Sequence, residues 1–400
     1  MRLRILHVVP YYDQAWAYGG IPRLATTMTR ALARRGHRVT VCTTDVCDER
    51  SRASAEKANG DGIDVRMFRN LSNSLAYHLQ FFTPLGLRRY MRRAAPTFDV
   101  AHIHACHNLP GVIAAAELSR AGVPYVISPN GTAVPIERRI IAKRLFALSA
   151  GRSILPGAAR VVAVSQAEAR QLRVIGLSEA AIAQIPNPLD TSEFDCAVDA
   201  DRFRTRMHTG NAPIVLFLGK LTPRKGVADL VRAFAQLDTT SAVLIIAGND
   251  MGTRRSLESL VKSLRLSKRV TFTGLISGHA RLEALAAATV VVYPSRDEIF
   301  GLVPLEALHC GTPVVVCDDS GCGEVIASVG GGQAIPHGDI NGLAAAIEDV
   351  LADQEGWRAR VHEAATTARQ RFGSDTVCDQ LESLYTTVVE EHGVPRRITA

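Results

Sequence analysis

The stretch Val290-Val-Val-Tyr-Pro-Ser-Arg-Asp-Glu298-Ile-Phe-Gly-Leu-Val-Pro-Leu-Glu306-Ala-Leu-His309 decides the fold. Val290–Tyr293 is a short apolar run without polar alternation, the pattern of a strand covered on both faces. Pro294–Asp297 is a turn, and Leu302–His309 reads as a helix entered through Gly301. The same unit of short apolar strand, Gly or polar turn and helix recurs along the chain. Strands are expected at Ile5–Val9, Val39–Thr43, Ile63–Phe68, Val100–Ala105, Tyr125–Ser128 and Val161–Val164. Helices are expected near Pro110–Ala121, Glu137–Leu148 and Gln166–Ile175, the last with Ser165 as its N-cap. Pro22 is expected at the first position of an earlier helix that ends before Gly36. Ile185-Pro-Asn-Pro-Leu-Asp190 then breaks both periodicities. The alternation restarts with strands at Ile214–Leu218, Val243–Ala247, Val270–Thr273, Val290–Tyr293 and Val314–Cys317. Helices near Val227–Leu237, Arg254–Leu264, Arg281–Ala287, Leu302–His309 and Ile340–Leu351 alternate with them. Two such runs imply two doubly wound α/β domains, residues 1–190 and 191–374, facing each other across a cleft. A final helix within 375–400 is expected to pack back on the first domain.

Composition agrees. The 400 residues exceed one ordinary core, and the apolar runs fall far short of the ~18 residues that span a bilayer. The eight cysteines are scattered without a C-x-x-C pair, which points to buried free thiols and a cytoplasmic protein. The net charge of +7 is uneven: residues 1–190 carry 25 Lys/Arg against 13 Asp/Glu, and residues 191–400 carry 21 against 26. A basic first half suggests an anionic partner there, or simply a solvated surface. Zinc spacings and basic aromatic stretches are absent from the sequence, which argues against nucleic acid.

The chemistry concentrates in a few loops. In the opening stretch, the backbone around Ile299, Phe300, Gly301 and Leu302 lies at a helix N-terminus, an anion site by its unpaired N–H groups and dipole. Read as one helix, the eight residues from Glu298 to Glu306 span about 12 Å. That is too far for one acid–base pair but suits two carboxylates flanking a pyrophosphate; an acidic turn plus a helix-face glutamate is the plain alternative. Gly219-Lys-Leu-Thr-Pro-Arg-Lys-Gly226 follows a strand and is not a Walker A loop. Tyr18-Gly-Gly-Ile-Pro22 puts Gly19 and Gly20 between a strand and a helix. Asp99-Val-Ala-His-Ile-His-Ala-Cys-His107 puts His102 and His104 on one strand face. A metal there is conceivable by spacing, yet a structural or lining role is preferred, with no metal assigned.

Taken in order, these motifs resemble the retaining GT-B glycosyltransferases of the family 4 (group 1) type, over nearly the whole chain. The resemblance implies two Rossmann-like domains, the first for the acceptor and the second for a nucleoside diphosphate sugar, with no other cofactor. Glu298 and Glu306 match the E-x7-E signature, implying contacts to donor sugar and ribose. Lys220 and Lys225 match a G-R-x4-K-G diphosphate clamp, although Lys220 stands where the family usually has Arg and loses its bidentate fork. Ala247-Gly-Asn-Asp250 resembles an A-G-x-G turn, with Asp250 for the glycine; Gly248 and Asn249 would line the donor. Thr273-Gly-Leu-Ile276 would recognise the base near Ile276, and Ser320-Gly-Cys-Gly-Glu324 resembles a small-residue turn near the sugar. Gly19, Gly20 and Gly219 would let backbone approach the donor. Tyr18, His107 and Asn130 would face the acceptor. Asn130 stands where the family usually has His, so it cannot act as a base, though it can hydrogen-bond.

The resemblance implies hexosyl transfer to an acceptor hydroxyl with retained configuration and without metal, in polysaccharide, glycolipid or other glycoconjugate synthesis. Lipid-linked, sugar and small-molecule acceptors all stay open. The basic runs Arg88-Arg89…Arg92-Arg93 and Arg138-Arg139…Lys143-Arg144 suggest peripheral contact with the inner face of a membrane, and a solvated helix face explains them equally well. A nucleotide-sugar 2-epimerase of the same architecture, a non-catalytic nucleotide-sugar-binding protein and, more weakly, a nicotinamide-dependent dehydrogenase are the rival readings.

Overall fold

The structure, a computed structural model, describes residues 2–54, 62–134 and 154–393. The expected helix 137–148 and the basic run at 138–144 lie outside the described residues. The chain divides into two compact units: Met1–Leu189 with Ser374–Ala400, and Asp190–Gly373.

The first unit is a seven-stranded parallel sheet. Its strands are β1 (Arg4–Val8), β2 (Arg38–Thr44), β3 (Ile63–Phe68), β4 (Val100–His104), β5 (Tyr125–Ser128), β6 (Arg160–Ala163) and β7 (Ile182–Gln184), in the order β3-β2-β1-β4-β5-β6-β7. Successive residues serve opposite cores, as period-two geometry demands. Ile5, Val100 and Val126 pack with Leu24 and Met28 of the helix Gly20–Arg34 and with Leu381 and Tyr385 of the helix Ser374–Glu391. Leu6, Ala101 and Ile127 pack on the other side with Met91, Leu118 and Leu172. Both faces are therefore covered, and the terminal helix completes the core of the first unit.

The second unit is a six-stranded parallel sheet. Its strands are β8 (Ile214–Leu218), β9 (Val243–Ala247), β10 (Val270–Gly274), β11 (Val290–Tyr293), β12 (Val314–Cys317) and β13 (Gly332–Ile335), in the order β10-β9-β8-β11-β12-β13. β8, β11 and β12 are buried along their whole length. In both sheets the order reverses beside the first strand, between β1 and β4 and between β8 and β11. Loops at the carboxyl ends of those strands open onto the place where doubly wound sheets bind ligands.

Several expectations are corrected. Pro22 is the third residue of its helix, not the first. Gly19, at φ 95° and ψ −141°, turns the chain into the helix two residues earlier, and Pro22 still removes only an N–H that has no helical partner. Ala105 lies beyond β4 because its φ is +63°. Ser320–Glu324 is not a free turn: Gly321–Val329 is a helix. Gly323 allows this, since a Cβ there would sit 2.6 Å from Asp318 Cα. The sequence reading also missed the edge strands β7 and β13 and the helices Asn73–Leu79, Leu87–Ala94, Ala200–Met207 and Gln354–Phe372.

The glycine at the end of β9 has the least freedom. Gly248 has φ +154°, and a Cβ there would stand 1.7 Å from the carbonyl oxygen of Gly219. Its N–H donates to the Gly274 carbonyl at 2.8 Å. Gly248→Ala should force the loops after β8 and β9 apart and destabilise the fold by several kcal/mol, of the order of overpacking plus backbone strain. A drop in thermal midpoint read by circular dichroism checks this; an unchanged midpoint contradicts it.

Candidate functional site

In the second unit the switch point is framed by the loop 219–226 after β8 and the turn 294–301 after β11. Lys225 closes the short helical turn Pro223–Lys225. Its ammonium donates to Glu298 Oε2 at 2.5 Å and to the Tyr293 hydroxyl, and lies 4.5 Å from the Tyr293 ring centroid. Ser295 Oγ donates to the same carboxylate oxygen at 2.9 Å. Burial alone would raise the Glu298 carboxyl, but the charges of Lys225 and Arg224 outweigh it and hold the group at about 2. Burial likewise acts against the Lys225 charge, and Glu298 and Tyr293 outweigh it, so the ammonium is held above its ordinary range. The result is a preorganised ion pair at the mouth of the switch point.

The adjoining helix Leu302–His309 starts without a side-chain cap. Gly301 is its N-cap at φ +77°, and a Cβ there would meet Cys322 Sγ at 2.4 Å. Because the helix begins at 302, Glu298 and Glu306 do not share one helix, and the 12 Å spacing drawn from eight helical residues does not apply. The first-turn donors belong to Leu302 and Val303, since Pro304 has no N–H. Ile299 and Phe300 bury their side chains, Phe300 edge-on to Phe372 at 5.4 Å, so only their backbone can serve a ligand. The Glu298 carbonyl is fixed by Cys322 N and Ser320 Oγ, each at 2.8 Å.

Glu306 stands apart from this pair. It is 0% exposed and pairs with the buried Arg281, whose other arm reaches Glu193 at 2.5 Å. Lys220 is half-buried where the chain leaves β8. Gly219 N bonds Ala247 O, and Leu221 N bonds Asn249 O, so the loops carrying Lys220 and Asn249 run side by side. Asp250, in the place of a glycine, accepts the N–H groups of Gly252, Thr253 and Arg254, the last being the first residue of the helix Arg254–Ser263. Ile276 is half-buried in the loop after β10.

In the first unit, Tyr18 is buried against Tyr11, with ring centroids 4.5 Å apart, and beside Tyr77 and Phe82. Gly19 and Gly20 therefore start their helix from a fixed aromatic base. His107 follows β4 and Asn130 follows β5. Their loops are tied by Cys106 N donating to Thr132 Oγ1 at 2.9 Å. Asn130 has φ +51°, and its buried Oδ1 has no partner among the described residues. The adjacent Gly131 N donates to Glu168 Oε1 at 2.6 Å, while Val164 N donates to Oε2 at 2.9 Å. Burial raises the Glu168 carboxyl to about 7, against the pull of those two N–H groups.

His102 and His104 share one face, and His7 of β1 joins them. Their nearest ligand atoms lie within 4.8 Å of one another, a spacing that admits a metal ion. His102 is bracketed by the Tyr385 hydroxyl at 2.6 Å and Ser128 Oγ at 2.7 Å, and His7 Nδ1 meets His104 Nε2 at 3.1 Å. Burial pushes all three imidazoles down, His104 to about 3, and His7 Nε2 and His104 Nδ1 have no hydrogen-bond partner among the described residues.

The sequence reading missed Tyr293, Arg224, Arg281, Glu168 and His7. Glu168 carried a signal: Ser165-Gln-Ala-Glu168 is a capping-box pattern. Ser165 does cap the helix, but the glutamate reaches Val164 N and Gly131 N instead of the N-cap amide.

Two family models match the chain in succession: Glycosyltransferase Family 4 over residues 18–193 and Glycosyl transferases group 1 over residues 200–369. The D-inositol 3-phosphate glycosyltransferase of Xylanimonas cellulosilytica is 30% identical over 92% of this chain and 91% of its own length. The 2-deoxystreptamine N-acetyl-D-glucosaminyltransferase of Streptomyces fradiae is 27% identical over 95% and 96%. Among solved structures, Anabaena HepE in complex with UDP and glucose superposes with TM-score 0.78 at 22% identity, covering 96% of this chain and 100% of that one. Sucrose-phosphate synthase from Thermosynechococcus elongatus gives 0.77 at 24%, covering 98% and 100%. With a GT-B fold and matches that run through both units, the chain belongs to the group 1, or family 4, glycosyltransferases.

Proposed function

We propose that the protein transfers a hexosyl unit from a nucleoside diphosphate sugar to an acceptor hydroxyl with retention and without a metal. The observation that supports this best is the Lys225–Glu298 pair beside the uncapped helix at Gly301. A diphosphate there would meet Lys225, Lys220 and the N–H groups of Leu302 and Val303, fixed positive groups that favour the charge developing on the leaving group. Glu298 would hold both Lys225 and the donor sugar, and Glu306 the ribose. Gly19, Gly20, Gly219, Gly248, Asn249 and Ile276 would complete the donor contacts, and Tyr18, His107 and Asn130 would face the acceptor. The acceptor oxygen bonds to the anomeric carbon as its bond to phosphate breaks, and the acceptor proton passes to the departing phosphate oxygen. Asn130 then needs only to orient the acceptor.

A uridine nucleotide is the first donor to try, because HepE has been solved with UDP, with UDP and glucose, and with UDP-glucose. Among the described residues no helix is long and apolar enough to cross a membrane. We place the reaction in the cytoplasm, with the basic first unit touching the inner face of the membrane.

The test is a thermal-shift comparison of UDP, GDP, ADP and CDP in EDTA. A nucleotide at 100 times its Kd stabilises by about 2.7 kcal/mol, so one of the four should raise the midpoint with chelator present. No shift from any of them, in protein that melts cooperatively, overturns the donor site. A shift that needs added divalent metal overturns metal independence. The anomeric configuration of the product, read by NMR, decides retention.

A further inference from the structure

We propose that residues 69–93 of the first unit form a docking surface for an anionic lipid bilayer. Nine large hydrophobic side chains are exposed among the described residues, and five of them, Leu71, Leu75, Leu79, Phe81 and Leu85, fall within fifteen consecutive positions. Leu71 is 63% exposed, and the others are between 43% and 49% exposed. Monomeric proteins rarely leave so many large apolar groups together in water unless something covers them.

The segment is held in shape. Leu85 N donates to Arg69 O at 2.9 Å, and an isolated antiparallel bridge joins Asn70 to Pro84. The buried Asn70 carboxamide accepts from Thr83 N and donates to Ser72 O, both at 2.7 Å. Ser72 Oγ caps the helix Asn73–Leu79 by accepting from Leu75 N, and Phe81 N returns to Leu75 O. Underneath, Ala76 and Phe82 pack with Tyr11 and Tyr18. The leucines and Phe81 are thus presented on a fixed base that also carries the loop before Gly19.

Charge names the occupant. Between Asp64 and Asp99 the sequence has six arginines and no acidic residue. The helix Leu87–Ala94 buries Leu87 and Met91 and exposes Arg88, Arg89, Arg92 and Arg93 on its other face. The acidic groups bonded to this segment from outside are Asp45, which accepts from Asn70 N at 2.8 Å and pairs with Arg52, Glu49, paired with His78, and Glu117, shared by Arg88 and Arg120. Exposed apolar side chains beside a cationic helix face match an interfacial contact. The leucines and Phe81 enter the headgroup–acyl boundary while the arginines meet anionic headgroups. A purely electrostatic partner would leave the apolar groups in water, and a purely apolar one would strand the arginines.

The proposal deepens the membrane contact in the reading above, but its test does not require transfer activity. The full chain is sedimented with vesicles of phosphatidylcholine alone or mixed with phosphatidylglycerol, at low and physiological salt. Binding is expected only to the anionic vesicles and should weaken with salt. Arg89→Gln with Arg92→Gln and Arg93→Gln should lower partitioning by about a hundredfold, on the order of 1 kcal/mol per cation. Leu75→Ser with Phe81→Ser should lower it by at least about tenfold. Both variants should keep the wild-type nucleotide-induced thermal shift, so lost vesicle binding with a retained shift concerns this surface alone. Absence of vesicle binding by wild type, equal binding to neutral vesicles, or unchanged binding by both variants overturns the proposal. So does a dimer in light scattering that Leu75→Ser with Phe81→Ser dissolves, because the apolar face would then belong to a second copy.

Discussion

Lys225→Ala is expected to lower kcat with a nucleoside diphosphate sugar by about 10²–10³-fold, equivalent to roughly 2.7–4 kcal/mol of transition-state stabilisation. The side chain is preorganised: buried, donating to Glu298 Oε2 at 2.5 Å and packed on Tyr293. Its loss removes a cation from the leaving diphosphate and leaves the Glu298 carboxylate with the Ser295 hydroxyl as a side-chain donor. Lys225→Met keeps most of the stem packing on Tyr293 and separates the charge from the bulk. Equal losses in both variants assign the effect to charge. A mild loss in Lys225→Met with a severe one in Lys225→Ala assigns it to packing and removes Lys225 from the chemistry. The pH dependence has a definite sign. Glu298 is depressed in the fold, so its stabilising contribution is present above the unfolded value of about 4.3 and is lost as pH falls toward about 2. Lys225 is raised, so its contribution is present below the unfolded value of about 10.4 and is lost only at higher pH. Between about pH 4 and 10 the pair stays ionised, and a limb of the pH–rate profile inside that window must come from another group.

The central strands were legible because they are covered on both faces. Val290–Tyr293, Ile214–Leu218 and Val314–Cys317 are continuous apolar runs, and the structure buries each completely. Two of the four edge strands, β7 and β13, were not legible for the opposite reason. Ile182–Gln184 and Gly332–Ile335 are only partly covered, so no apolar run marks them. Within the site, the Gly219–Gly226 loop and the Glu298 turn stood out as motifs, yet their meeting depends on β8 lying beside β11. Periodicity cannot supply that order; the switch in strand sequence does. Tyr293 was read as strand and Arg281 as helix, because nothing local tells a buried hydroxyl that it will meet an ammonium 68 positions away, or a guanidinium that it will face a carboxylate 25 positions away. The same limit hid Glu168, whose partner Gly131 is 37 residues distant.

Glu306→Ala should destabilise the second unit by about 3–5 kcal/mol. Glu306 is inaccessible to solvent, and its partner Arg281 is 4% exposed. Truncation leaves a buried guanidinium with only Glu193 opposite it, the situation in which breaking a buried pair costs that much. At roughly 2–4 °C per kcal/mol for a unit of this size, the thermal midpoint should fall by about 10 °C. That result alone would not tell a structural glutamate from one that also serves the donor ribose. Replacing both partners separates the two roles. Arg281→Met with Glu306→Leu fills the space with apolar atoms and leaves no uncompensated charge between them, and such replacements of buried pairs are often neutral or stabilising. Glu193, at the partly exposed end of the bridge with 34% of its side chain accessible, can be solvated. The double variant should therefore recover most of the lost midpoint. If Glu306 holds the ribose, the recovered protein will no longer be stabilised by the nucleotide that stabilises the wild type. A recovered midpoint with an intact nucleotide shift would confine Glu306 to the fold and leave donor binding to the Lys225–Glu298 pair and the helix at Gly301.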